Sequence, residues 1–174
     1  RQAFPGWSAL SFHERGRHLL ALREAIVREA DVVADLVAQE QGKPPAEAHA
    51  AEVFPALDQL KHLARHAEDA LRDEPVEPES LLLAHKQCAL RYEPYGVVLV
   101  ITPWNYPFLI SLLGVATALA AGNTVVLKPA PATSLIGLKL GELCRSAGIP
   151  DGVVNVLALD DALLRAALRA EARA

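Results

Sequence analysis

Val97-Val98-Leu99-Val100-Ile101, Thr124-Val125-Val126-Leu127 and Val153-Val154-Asn155-Val156-Leu157 decide the fold: three short apolar runs, rich in β-branched residues and almost unbroken by polar ones. A strand with one wet face alternates apolar and polar residues, whereas a strand covered on both faces has no polar side to show. A helical stretch separates each run from the next. Strands alternating with helices make a parallel sheet joined by right-handed crossovers, so the expected fold class is α/β with a βαβαβ unit.

Upstream the pattern is helical. Ser11-Phe12-His13-Glu14 is a capping box, and Leu19, Leu22 and Ile26 then fall on one face. Asp31 opens a second amphipathic run through Val32, Val33, Leu36 and Val37, closed by Gly42, Lys43 and Pro44. Val53, Leu57, Leu60, Ala64, Ala67 and Leu71 carry the period of a third helix laid on a core, with Pro55 predicted to kink its first half. Pro75 and Pro78 break the helical region. Cys88, Leu90 and Tyr92 then alternate with Gln87, Arg91 and Glu93, which predicts a solvent-facing antiparallel ribbon. Residues 158–174 are rich in Ala and Arg, with Asp160 and Asp161 near the start and Arg165, Arg169 and Arg173 further on, an order that suits a helix dipole.

With 174 residues, 52% of them hydrophobic and 22% charged, the chain is long and apolar enough for one buried core and is not a disordered composition. Its net charge of -4 contains no block of Lys and Arg, which argues against nucleic acid as a partner. The stretch from Phe108 to Ala121 is too short and too rich in small residues for a membrane span and reads as a buried helix; no membrane role and no secretory signal are expected. Cys88 and Cys144 fit neither a disulfide framework nor a metal site, so a reducing, cytoplasmic setting is expected, and both cysteines are read as structural because neither has a visible activating group. His62 and His66 stand four apart, but no third ligand accompanies them, and a solvated helix face is the expectation. The chain opens on Arg1 and holds no Met, which predicts a portion of a longer translation product.

In an open parallel sheet, ligands bind beyond the carboxyl ends of the strands. The first strand runs into Thr102-Pro103-Trp104-Asn105-Tyr106-Pro107 and the second into Lys128-Pro129-Ala130-Pro131, which places Asn105 and Lys128 on one rim. Read alone, Asn105 suits the cap of the helix that follows, and Lys128 an ordinary exposed lysine after a strand.

Glu93-Pro94-Tyr95-Gly96-Val97-Val98, Thr102-Pro103-Trp104-Asn105, the segment from Ala118-Leu119-Ala120-Ala121-Gly122-Asn123 to Lys128-Pro129, and Ala147-Gly148-Ile149-Pro150 resemble, in this order and spacing, the aldehyde dehydrogenase superfamily. The resemblance covers most of residues 7–157 and fades over the remaining tail. It implies a partial Rossmann-like domain in three parts: a helical part at 1–84, a ribbon at 85–95 that serves as an oligomerisation arm, and the sheet at 96–174. The absence of G-x-G-x-x-G is expected of this family. The implied activity is oxidation of an aldehyde substrate to a carboxylic acid with NAD or NADP, by a homo-oligomer in the complete protein.

By the same resemblance Asn105 is the catalytic oxyanion donor. Ile101, Thr102, Pro103 and Trp104 line the cofactor cleft, and Lys128 binds hydroxyls of the adenine-side ribose. NAD-preferring relatives carry an acidic residue where this chain has Pro131, so the sequence leaves NAD against NADP open, with a lean to dual use, and fits a degenerating site as well. The family mechanism also needs a cysteine nucleophile, a glutamate base and partner strands for the ribbon, all expected outside this chain. Two alternatives to part of a whole enzyme stand beside it: a non-catalytic nucleotide-binding or assembly module, and a defective truncated gene product.

Overall fold

The computed structural model describes residues 1–80, 82 and 85–171. A short α1 (Phe4–Ser8) leads into α2 (Phe12–Arg28), which opens on the expected capping box: Ser11 and Glu14 exchange side-chain and backbone hydrogen bonds. Helix α3 (Ala30–Gln41) ends at Gly42, whose φ of 79° is the left-handed conformation that glycine adopts without strain. Leu19, Leu22, Ile26, Val33 and Val37 are all buried, as their spacing predicts.

The third helical region departs from its expected form. It begins at α4 (Pro45–Ala48), passes through a π-helical turn (His49–Val53) and continues as α5 (Phe54–Ala70). The irregularity is a widened turn that ends just before Pro55, which sits in the first turn of α5. One extra residue in the turn shifts the hydrogen-bond register ahead of a residue that has no N–H to give.

Strands β1 (Glu74–Val76) and β2 (Cys88–Leu90) pair antiparallel. The ribbon therefore has a partner inside the chain, where the sequence reading places its partners outside. Pro75, read as a breaker, lies within β1, a position open to proline because the strand is an exposed edge. An ion pair between Arg91 and Asp73 at 3.0 Å and a hydrogen bond from the Tyr92 hydroxyl to Glu74 at 2.9 Å close the base of the ribbon.

The rest is the βαβαβ unit: β3 (Val97–Ile101), α6 (Pro107–Ala120), β4 (Thr124–Lys128), α7 (Ser134–Ser146) and β5 (Val154–Val156), with the strands parallel in the order β3-β4-β5. Val97 stands opposite Thr124 and Ile101 opposite Lys128, so β3 and β4 end together. Covering on both faces holds best for β4, whose Val125 and Leu127 are inaccessible; Val97 and Ile101, on the edge strand β3, are exposed. Helix α8 (Asp161–Glu171) follows, and Arg173 of the predicted tail helix lies outside the described residues. No helix among the described residues is long and apolar enough to cross a membrane.

One core joins the amino-terminal helices to the sheet layer, and α6 lies at its centre with Phe108, Leu112, Val115, Ala116 and Leu119 buried. Gly114 lets it approach β3, since a Cβ there would meet Val100 Cγ1 at 2.5 Å. The carboxyl end of α6 is held from α1 and α2. Trp7 Nε1 donates to the carbonyl of Leu119 at 3.1 Å, and the buried Arg15 guanidinium donates to that of Ala120 at 3.0 Å, where a positive charge complements the helix dipole.

Candidate functional site

The carboxyl ends of β3 and β4 are tied together by the backbone. Thr102 N–H donates to the carbonyl of Lys128 at 3.2 Å, and the Thr102 hydroxyl shares a buried 2.8 Å hydrogen bond with Ser111 of α6. Thr102 is thus part of the frame. Ile101, Pro103 and Trp104 face outward around it, Trp104 with 60% of its surface exposed.

Asn105 is held through its backbone by Gln41 at the end of α3 and Lys43 in the loop that follows. Its carbonyl oxygen accepts from Gln41 Nε2 at 2.6 Å and from Lys43 Nζ at 3.3 Å. Lys43 is buried, lies 4.0 Å from the centre of the Tyr106 ring, and pairs with Glu52 at 2.7 Å. Glu52, inaccessible to solvent, uses its other oxygen to accept from the backbone N–H groups of Phe108 at 2.8 Å and Leu109 at 3.3 Å. A carboxylate at a helix amino terminus satisfies orphan donors and meets the positive end of the dipole.

The capping alternative for Asn105 is therefore corrected. The residue flanking α6 is Tyr106, no local side chain caps the helix, and Glu52 does that work from 56 residues away. Asn105 is exposed, and among the described residues its side-chain amide makes no hydrogen bond. Backbone fixed and amide uncommitted is the state required of a donor that acts on a ligand. Sequence reasoning missed Gln41, Lys43 and Glu52. A signal existed: Glu52, Ala56 and Leu60 share one helical stripe, and an acidic residue on an apolar stripe asks for a partner.

Lys128 is not an ordinary exposed lysine. Its side chain is 2% exposed, and Nζ donates to Asp161 at the start of α8, whose own side chain is 66% exposed. The hydrogen bond from Lys128 and its charge hold the Asp161 carboxyl below the usual range. Pro131 opens a 3₁₀ turn (Pro131–Thr133) and brings no carboxylate to this point. The Thr133 hydroxyl beyond it is buried and has no hydrogen-bond partner among the described residues. A cation beside a carboxylate suits a vicinal diol, which accepts from one and donates to the other, so the donor set at the rim fits the ribose of a dinucleotide.

The Aldehyde dehydrogenase family model matches residues 1–173. The chain belongs to the aldehyde dehydrogenase family. Among curated aldehyde dehydrogenases it is 38% identical over 151 residues to the chloroplastic betaine aldehyde dehydrogenase of Amaranthus hypochondriacus, covering 87% of this chain and 30% of that protein. It is 36% identical to human retinaldehyde dehydrogenase 3, again over 87% of this chain and 28% of the relative. It superposes with a TM-score of 0.82 on an Escherichia coli NADP-dependent enzyme, at 36% identity over 90% of this chain and 31% of that one. PnpE crystallised with nicotinamide adenine dinucleotide gives 0.81 at 35% identity, over 89% and 31%. The chain spans about 30% of the length of the curated aldehyde dehydrogenases it matches.

Neither cysteine of this aldehyde dehydrogenase chain stands at the rim. Cys144 lies near the carboxyl end of α7, at the opposite end of the sheet, and burial pushes its thiol up to about 12. Cys88 is exposed on β2. The His62 and His66 rings, tilted by 39° to each other, have their centres 4.7 Å apart on the exposed face of α5.

Proposed function

We propose that this chain contributes the oxyanion donor and the ribose-binding rim of an NAD(P)-dependent aldehyde dehydrogenase, and that the nucleophilic cysteine and the glutamate base of the whole protein lie outside it. The reading rests on Asn105: its backbone is clamped by Gln41 and Lys43 while its amide stays free, on the same rim as Lys128. In the complete protein the Asn105 amide donates to the aldehyde oxygen as negative charge develops there, without changing its own protonation. Ile101, Pro103 and Trp104 shape the cleft wall, Thr102 fixes its floor, and Lys128 donates to ribose hydroxyls. The nicotinamide cofactor, when bound, accepts the hydride that leaves the substrate carbon. An inaccessible Cys144 with a raised pKa does not supply a thiolate, which supports the placing of the nucleophile elsewhere and supports a second reading, a nucleotide-binding or assembly module without catalysis of its own.

The reading extends to assembly and compartment. Val76, Leu90 and Tyr92 are exposed apolar side chains on or beside the ribbon, which suits an oligomerisation arm in a homo-oligomer, one that takes in β1 as well as residues 85–95. Two unpaired thiols suit a reducing compartment, with the cytoplasm as our choice. The deciding experiment is calorimetric titration of the folded chain with NAD and NADP, compared with Lys128→Ala. Binding that weakens at least about 10-fold in the variant supports the reading. Folded protein that binds neither nucleotide overturns it.

A further inference from the structure

We infer that Asp161 makes this chain select NAD over NADP, supplying from α8 the carboxylate that the loop at Pro131 lacks. The inference rests on the proposed reading of Lys128 as the ribose-binding cation. Three observations carry it. The Lys128 ammonium is buried and paired, so a ligand reaches it only beside Asp161, which remains two-thirds exposed. Asp160, the preceding residue, is committed elsewhere, its Oδ1 accepting from the Leu163 N–H at 2.8 Å, which leaves Asp161 as the acid facing Lys128 and adds a second negative charge at the same helix start. Pro131, in the 3₁₀ turn after β4, carries no charge.

The chemistry discriminates between the two cofactors. A ribose with free 2′- and 3′-hydroxyls donates to the Asp161 carboxylate and accepts from the Lys128 ammonium, so the existing ion pair is bridged and not broken. A 2′-phosphate carries about 1.5 to 2 negative charges at neutral pH and offers the carboxylate little or no proton. It meets Asp161 as a like charge at contact distance and gains Lys128 only by expelling its partner. Arg165, one turn further along α8, is exposed and offsets part of this repulsion, which sets the selection as a preference and not an absolute exclusion.

The test is calorimetric titration of the 174-residue chain with NAD and with NADP, in wild type, Asp161→Asn, Asp161→Glu and Lys128→Ala, each shown to be folded by circular dichroism. The expected wild-type preference for NAD is about 10-fold or more. Asp161→Asn removes most of it from both sides, weakening NAD by loss of the charged acceptor and tightening NADP by loss of the like charge, so that the two affinities come within about 3-fold of each other; Asp161→Glu retains the preference. Equal affinities in wild type, or an unchanged ratio in Asp161→Asn, overturn the inference. If Lys128→Ala weakens both nucleotides in those same experiments, the parent reading survives that failure. If wild type binds neither nucleotide, or Lys128→Ala binds both as wild type does, reading and inference fall together.

Discussion

Glu52 accepts a 2.8 Å hydrogen bond from the backbone N–H of Phe108, so a side chain on a π turn of the helical region holds the first turn of the helix that follows Asn105. Its other oxygen meets Lys43, and both side chains are buried. Removing one member of such a pair strands a charge, which costs about 3–5 kcal/mol, far more than the pair itself is worth. Glu52→Ala is expected to destabilise by that amount in urea titration. A loss under about 1 kcal/mol would show that solvent reaches the site readily.

Asn105→Ala is expected to be silent in the same assay. The side chain is exposed and makes no hydrogen bond among the described residues, so stability should change by no more than about 0.5 kcal/mol and nucleotide affinity should hold. In the whole protein, aldehyde oxidation should fall about 10²–10³-fold. A large stability loss would mean that the amide is structural after all.

Gly114→Ala should cost about 1–3 kcal/mol, because the new methyl meets Val100 Cγ1 at 2.5 Å and neither the buried helix α6 nor the strand β3 it packs on gives easily. Gly6→Ala, with nothing within 4 Å of the new atom, is the control and should be neutral or slightly stabilising. Thermal melts of the two variants measure the contrast.

The two thiols should separate cleanly. Cys88 is exposed and should react at once with a disulfide reagent, whereas Cys144, buried with its thiol near 12, should react only on unfolding. No aldehyde oxidation should accompany either thiol. Turnover by this chain that Cys88→Ser or Cys144→Ser abolishes would overturn the placing of the nucleophile outside it.

Asp161 gives the docking of α8 a defined pH dependence. Its carboxyl titrates below the ordinary value of 3.8, so the stabilisation is present in full above that value and is lost as pH falls through the depressed one. The difference between wild type and Asp161→Asn, followed by acid titration of helicity, should be constant above about pH 5 and vanish at the acid end. A difference that grows on acidification would contradict the pairing.

Local pattern carried most of the fold. The capping box at Ser11, the glycine stop at Gly42 and the apolar strand runs each report a short-range constraint, and each stands where its pattern puts it. The missed features are long-range. Nothing near Asn105 indicates that Glu52 rather than Asn105 caps α6, and nothing near Lys128 indicates that Asp161, 33 residues on, lies against it. The partner for β2 was missed because Pro75 reads as a breaker until the strand is known to be an edge.

Helix α6 is gripped at one end by Glu52 and at the other by Trp7 and Arg15, all three from the first 53 positions. That arrangement sets where such a chain can be cut and rejoined. A chimera with its crossover in the ribbon would inherit the grips from one parent and the helix from the other, and a mismatch at position 15 or 52 would leave a charge with nothing to hold. Recombination between relatives should therefore succeed when positions 7, 15, 43 and 52 travel together with the helix they hold, and fail when they are divided.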